Sequence, residues 1–347
     1  MELSSLLDQM IERRASDLHL VTGIPPVFRI DGELVPASPP NLMAEDVEAL
    51  LHSALPELKL AAAREGHDFS ATLHHDDQTL RCQVFRDHSF LAAAIRILPK
   101  RIPSLEEMHL PPIFETLTHC RRGLILVVGP TGSGKTTTVV SMLNQINLTR
   151  SERIYTLEDP LNYVLDTKLS LVTQRVVGED VESYERGLLS IKDADPDVVF
   201  VGELRTPEVV RLSAEMAEAG VLVFSQMTAG TVSDAVEHLI EMLGGSAEAA
   251  RRLVARTFQA VIAQRLLVRA DHLGRVAANE ILLSTPRTRQ MISDGQTEPH
   301  LLEMAMQTAH SVGMQTMDDA LLDLLANEVI SRETAEAHLK DKTRLSG

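Results

Sequence analysis

Ten residues constrain this chain more than any other stretch: Gly129-Pro130-Thr131-Gly132-Ser133-Gly134-Lys135-Thr136-Thr137-Thr138. An apolar run, Leu124-Ile125-Leu126-Val127-Val128, precedes them and reads as a buried strand. The segment from Val139 to Ile146 follows with helical apolar spacing. Gly129, Gly134, Lys135 and Thr136 satisfy the phosphate-binding loop pattern in the strand–loop–helix context that gives the pattern its meaning. Glycines let successive backbone N–H groups turn inward around phosphate oxygens, and the helix N-terminus adds its positive end. Lys135 is placed to reach the outer phosphates, and the Thr136 hydroxyl to ligate Mg²⁺. A Gly-rich turn that happens to contain Lys-Thr would need neither flanking element. The expectation is a nucleoside triphosphate site with ATP and Mg²⁺ as its ligands.

The rest of the chain divides into two patterns. At 347 residues there is room for two domains with cores of their own. Leu3, Leu6, Leu7, Met10 and Ile11 share a helical face, and Leu18 to Val21 and Val27 to Ile30 read as strands. Asp31-Gly32 is a strong hairpin signal. Glu45 to Leu60 reads as mostly helical, with Pro56 kinking or ending it. Three strands at Phe69–Leu73, Leu80–Phe85 and Phe90–Ile97 form an antiparallel meander. Prolines 99, 103, 111 and 112 then punctuate a linker. Beyond it strands alternate with helices, the mark of a mostly parallel sheet. The strands are Leu124–Val128, Arg153–Leu157, Val198–Val201 and Val221–Phe224, with helices at Ser183–Ile191 and Pro207–Ala217. From Glu237 onward helices dominate, apart from a strand at Arg275–Ile281. The expected organisation is a small α+β domain over 1–100, a linker over 101–112, an α/β P-loop core over 113–285 and a helical region over 286–347.

Composition excludes several function classes. Against 33 Lys and Arg stand 49 Asp and Glu, a formal net charge of −16, which phosphate backbones repel. With no tryptophan and three tyrosines there are few platforms on which single-stranded bases could stack. Nucleic acid is therefore not the expected partner. Cys82 and Cys120 form no C-x-x-C pair, which excludes a zinc ribbon and a multi-bridge disulfide framework. The N-terminus, with Glu2, Asp8 and Glu12, lacks the basic-then-apolar pattern of a signal peptide. The longest apolar runs fall far short of the ~20 residues a membrane span needs. A cytoplasmic protein is expected, with no membrane insertion.

Ligands of open parallel sheets bind beyond the carboxyl ends of the strands. Strand 124–128 delivers the phosphate loop there, strand 153–157 delivers Glu158-Asp159-Pro160, and strand 198–201 delivers Gly202-Glu203. A carboxylate beside the γ-phosphate can polarise the attacking water, and a neighbouring one can hold the metal's water shell. Glu203 is the choice for water activation; Glu158 and Asp159 are candidates for metal and water positioning. Each acid could instead cap the helix or turn that follows it. Two acidic strand ends beside one phosphate loop favour chemistry over capping. His74-His75-Asp76-Asp77 reads as a solvated hairpin tip, because adjacent strand residues point to opposite faces and cannot easily share an ion. Met304, Met306, Met314 and Met317 read as core filler, and Glu215 and Glu218 as a solvated helix face.

Taken in order, these motifs resemble those of the type IV pilus retraction ATPases, the PilT and PilU type within the secretion-ATPase superfamily. Ala15 to Leu20 resembles the family's opening signature, Gly129 to Thr137 its Walker A loop and Leu157-Glu158-Asp159-Pro160 its Asp box. Asp195-Pro196-Asp197 through Gly202-Glu203-Leu204-Arg205 resembles its Walker B region, and Val312-Gly313-Met314-Gln315-Thr316 through Arg332 its tail. The resemblance implies a hexameric ring motor in which each subunit pairs a PAS-like N-terminal domain with a RecA-like core. ATP would bind between them, and its hydrolysis would drive the pilus inner-membrane platform protein so that pilin leaves the fibre. The motor would be cytoplasmic, held at the inner membrane by its partners, and a paralogous ATPase is a further partner. The lack of a tetracysteine module points to the retraction branch. Arg81 and Arg96 match arginines of the family that face nucleotide, where a guanidinium can neutralise developing phosphate charge, in trans.

The chain also departs from the family. Thr228 stands where the family's His box carries histidine, and Gly220-Val221 replaces a Gly-His pair. Asn162 replaces the second Asp-box glutamate. Leu189 and Asp193 stand where two arginines usually precede Asp-Pro-Asp. An arginine at a phosphoryl transition state is worth ~10³–10⁵ in rate, so these positions bear on turnover more than on binding. Thr228 or Gln226 is left to take over the histidine's task. Two further readings therefore stand beside the motor: a nucleotide-binding accessory subunit with little turnover of its own, and a related secretion-system ATPase serving another fibre.

Overall fold

The antiparallel and the alternating halves of the sequence build two separate sheets. The computed structural model describes residues 1–38 and 40–346. One compact unit comprises Met1–Arg101 together with Pro160–Val164; the other comprises Ile102–Asp159 and the residues from Leu165 onward.

The first unit runs α1 (Leu3–Glu12), β1 (Asp17–Leu20), β2 (Val27–Ile30), β3 (Glu33–Pro36), α2 (Ala44–His52), α3 (Glu57–Arg64), β4 (Phe69–His75), β5 (Gln78–Asp87) and β6 (Phe90–Ile97). Its antiparallel sheet has the order β3-β2-β1-β6-β5-β4. Asp31 and Gly32 both adopt left-handed φ, 48° and 88°, the twist-matched turn that lets β2 return as β3. Pro56 takes extended backbone and separates α2 from α3, since it cannot donate to a continuing helix. Leu6, Met10, Leu18, Phe28, Leu51, Leu60, Leu80 and Ile95 close the core between helices and sheet. A fully buried side chain of this size contributes about 1.5–3 kcal/mol. At the β4–β5 tip, Asp76 turns with φ 50°. His75 Nε2 there meets Asp8 Oδ1 at 2.7 Å, so the histidine pairs with α1 while His74 faces solvent.

The second unit runs α4 (Ile113–Thr118), β7 (Gly123–Val128), α5 (Lys135–Thr149), β8 (Arg153–Glu158), β9 (Leu171–Val176), α6 (Tyr184–Lys192), β10 (Val198–Val201), α7 (Pro207–Glu218), β11 (Leu222–Met227), α8 (Val232–Leu243), α9 (Ala247–Thr257), β12 (Phe258–Val268), β13 (Arg275–Leu283), α10 (Pro286–Asp294), α11 (Pro299–Thr308), α12 (Met317–Ala326) and α13 (Arg332–His338). The sheet order is β13-β12-β7-β11-β10-β8-β9. All pairs are parallel except β12 with β13, which form an antiparallel edge. Every residue of β7, β10 and β11 is buried, as strands covered by helices on both faces must be. This topology sets the carboxyl ends of β7, β11, β10 and β8 side by side.

Two strands and one methionine differ from the sequence expectation. β12 lies in the stretch expected to be helical; its run Ala260-Val261-Ile262-Ala263 is apolar on both faces, so period-2 alternation, the usual strand signal, is absent. β9 went unmarked for the opposite reason, being polar and partly exposed at the sheet edge. Met306 and Met314 are 1% exposed and do fill core, but Met304 is 55% exposed on the outer face of α11.

Candidate functional site

The phosphate loop is held by glycine geometry and by β12. Gly129 has φ 153°, and a Cβ there would lie 2.4 Å from the Gln264 carbonyl oxygen and 2.6 Å from Ser133 Oγ. No larger residue fits without moving the strand. Gly134, at φ 86°, caps α5, and a Cβ on it would meet the Gln264 side chain at 3.0 Å. Gln264 is 1% exposed and braces the loop from below. Its Nε2 donates to the Ser133 carbonyl at 2.7 Å, and its Oε1 accepts the Thr138 hydroxyl at 2.8 Å.

Within the loop, Lys135 Nζ donates to the carbonyls of Gly129 at 2.8 Å and Pro130 at 3.0 Å. Burial pushes the Lys135 ammonium below the usual lysine range, while the charge of Glu203 pulls it upward. The Thr136 hydroxyl donates to Gln226 Oε1 at 3.1 Å. Pro130, Thr131 and Gly132 form the exposed outer arc, whereas Ser133 is buried. Thr137 continues the first turn of α5 behind Thr136.

The acids stand at the neighbouring strand ends. Glu203 follows β10 and accepts Arg205 Nε at 2.7 Å on Oε2. The same guanidinium donates from Nη1 to Asp159 Oδ2 at 2.8 Å, so Arg205 clamps two carboxylates from adjacent strands. Glu158 is 2% exposed, with Oε1 accepting Thr156 Oγ1 at 2.7 Å and Gln174 Nε2 at 3.1 Å. Tyr184 packs beneath this group, and a Cβ on Gly202 would lie 2.8 Å from its hydroxyl. Burial pushes the Tyr184 phenol far above its ordinary range, with Asp159, Glu158 and Glu203 adding to the shift against Arg205. Capping of α7 falls to Thr206, whose side chain accepts the Val209 N–H at 3.3 Å, and not to Glu203.

Elsewhere in the second unit, the Asp197 carboxylate of the Asp195-Pro196-Asp197 turn accepts the Arg153 N–H at 2.8 Å and fixes the start of β8. Leu189 is 45% exposed on α6, and Asp193 is exposed at its end. Thr228 lies just past β11 and is exposed, whereas Gln226 is buried inside the strand.

In the first unit, Arg81 on β5 and Arg96 on β6 stand directly opposite each other. Arg96 Nε donates to Asp17 Oδ1 at 2.7 Å, and Arg81 Nη1 to Asn162 Oδ1 at 3.2 Å. Burial, reinforced by Arg96, pushes the Arg81 guanidinium below its usual range. Asn162 thus offers Arg81 a neutral acceptor.

Sequence reasoning missed Gln264, Gln174 and Tyr184 and gave Arg205 no role. Gln264 is the first polar residue after four apolar ones in β12, and its neighbour across the antiparallel pair is a second amide, Asn279. Arg205 stands two residues beyond Glu203, spaced to fold back onto it.

A glycine-rich loop with an ammonium, a hydroxyl at the first helical turn, and acids on adjacent strand ends fit a nucleotide's phosphates and a divalent ion together. Fold and site define the P-loop ATPase class. Within that class, the chain belongs to the family described as type II/IV secretion system protein, whose model matches residues 2–335. It is 34% identical to the type IV pilus retraction ATPase PilT of Pseudomonas aeruginosa, over 98% of each chain. It is 31% identical to the type IV pilus ATPase PilU of the same organism, over 97% of this chain and 88% of PilU. A crystal structure of the pilus retraction motor PilT with bound ADP superposes with a TM-score of 0.89 at 35% identity, covering 100% of this chain and 99% of the other. Among the described residues, no helix is long and apolar enough to cross a membrane.

Proposed function

We propose that the chain is an ATP-hydrolysing motor subunit that drives type IV pilus retraction, and with it twitching motility. The observation that carries this is the complete set of phosphate loop, Glu203 and Asp159–Arg205 at adjacent strand ends, in a chain that PilT matches from end to end. In this reading the loop N–H groups and Lys135 hold the phosphates, and Lys135 exchanges its two loop carbonyls for phosphate oxygens. Mg²⁺, when bound, supplies charge at the β- and γ-phosphate oxygens. Thr136 would hold the ion, and Asp159 and Glu158 would order its surroundings. Glu203 accepts the proton of the attacking water at its carboxylate, whose Oε2 also accepts Arg205 Nε at 2.7 Å. Arg81 and Arg96 supply further positive charge to the nucleotide, from a neighbouring subunit of a homo-hexameric ring. The ring acts from the cytoplasm on the pilus inner-membrane platform protein, with a paralogous ATPase as a second partner.

A second reading has its own support. The exposed Leu189, the acidic Asp193, the neutral Asn162 and the solvent-facing Thr228 remove charges that the family places around the nucleotide. On that reading the chain is a nucleotide-binding accessory subunit whose ring partner does most of the turnover.

Lys135→Ala, introduced at the chromosomal locus, distinguishes both readings from a protein unrelated to pili. A motor or obligatory partner gives cells with more surface pili that no longer twitch. Normal pilus number and normal twitching in that strain would remove the chain from retraction.

A further inference from the structure

Gln226 stands where three parts of the site meet. It is 5% exposed, on β11 between the strand that delivers the phosphate loop and the strand that delivers Glu203. Its Oε1 accepts the Thr136 hydroxyl at 3.1 Å. Its backbone carbonyl accepts the Leu204 N–H at 2.9 Å, immediately after Glu203. Its Nε2 is buried and has no hydrogen-bond partner among the described residues.

A threonine hydroxyl has one hydrogen and two lone pairs. When it ligates a metal it must turn a lone pair toward the ion, and its hydrogen then needs an acceptor on the other side. In this chain that acceptor is in place. We propose that Gln226 is a positioning residue for the divalent ion: its Oε1 takes the Thr136 hydrogen so that the lone pairs of Oγ1 are presented to Mg²⁺. The proposal rests on the nucleotide-site reading above. A bound dication makes the Thr136 hydroxyl a stronger donor, so the Gln226 bond and the metal bond reinforce one another. Through its backbone carbonyl the same residue holds the turn that carries Glu203, which ties metal position to water activation. The role belongs to the acceptor oxygen and not to the amide nitrogen.

That last point sets the test. Gln226→Met keeps the length and volume of the side chain but removes the oxygen, whereas Gln226→Glu keeps an acceptor oxygen while replacing the amide nitrogen with a second oxygen and adding a negative charge. Binding of a fluorescent ADP analogue to the full-length protein is measured across a Mg²⁺ titration and again in EDTA, alongside thermal unfolding of each variant. Loss of an outer partner of a metal ligand costs about 10–100-fold in metal affinity. Gln226→Met is therefore expected to raise the half-saturating Mg²⁺ concentration by about that factor with the EDTA affinity unchanged, and Gln226→Glu, which keeps the acceptor and adds negative charge, not to raise it. An unchanged Mg²⁺ midpoint in a folded Gln226→Met protein would overturn the proposal. So would an equal loss in EDTA, which is the mark of a purely structural role, or a Gln226→Glu protein as impaired as Gln226→Met. Wild-type protein that binds no nucleotide under either condition would overturn the nucleotide site itself.

Discussion

Gln264→Leu removes the brace beneath the phosphate loop with little change of volume. It strips the Ser133 carbonyl of a 2.7 Å donor and the Thr138 hydroxyl of a 2.8 Å acceptor. Thr138 is 0% exposed and Ser133 3%, so water cannot easily take Gln264's place. A buried polar group left without a partner costs about 1–3 kcal/mol, and two of them together about 2–4 kcal/mol once part of the loop relaxes. For a unit of this size each kcal/mol moves the unfolding midpoint by about 2–4 °C, which gives a fall of roughly 5–15 °C. Differential scanning calorimetry without nucleotide, following the transition of the second unit, measures it. The first unit's transition serves as an internal control, because Gln264 lies outside it. Nucleotide affinity should fall as well, since the carbonyl that Gln264 holds belongs to the loop that must close around phosphate. A second-unit midpoint within a degree or two of wild type would refute the reasoning, because it would mean that the Ser133–Gln264–Thr138 chain contributes nothing net.

Two other perturbations separate binding from chemistry and stability. Glu203→Gln should keep ATP bound while turnover falls by about 10²–10⁴; normal turnover in a phosphate-release assay would move water activation to another acid, Glu158 first. Burial raises the Asp17 carboxyl, but hydrogen bonds from Arg96 and Ser16 more than offset that and hold it below its ordinary value. Its contribution to the first unit is therefore complete above pH ~4 and lost as pH falls through the depressed value. Asp17→Asn should destabilise the first unit at pH 7 and progressively less as pH falls through that depressed value, so a loss that does not change with pH, read by circular dichroism, would contradict this linkage.

Most of what positions the site was legible because it follows from local chemistry. The phosphate loop, the Asp31-Gly32 hairpin and the strand at Val198–Val201 each rest on residue types that few other conformations accommodate. The two acids were legible because they sit at strand ends, Glu158 directly after Leu157 and Glu203 after Val201-Gly202. What stayed hidden depends on pairing across the chain. β12 carries no alternation, because β7 and β13 flank it and helices cover both its faces, and with β12 went Gln264, whose meaning lies 131 residues away at Ser133. Arg205 was visible in the sequence, but its grip on Asp159 spans two strands that only the sheet order makes neighbours. Met304 was misassigned because helical spacing alone does not say which face of α11 meets the core.

A motor subunit turns over ATP by itself. Phosphate release from the purified protein with Mg-ATP, run beside Lys135→Ala and a direct ATP-binding assay, tests it most directly. The wild-type protein should turn ATP over and the substitution should abolish that turnover, because the loop loses its charge on the outer phosphates. Undiminished turnover in Lys135→Ala would contradict the site, and ATP binding without turnover in the wild-type protein would contradict the motor and leave the accessory subunit.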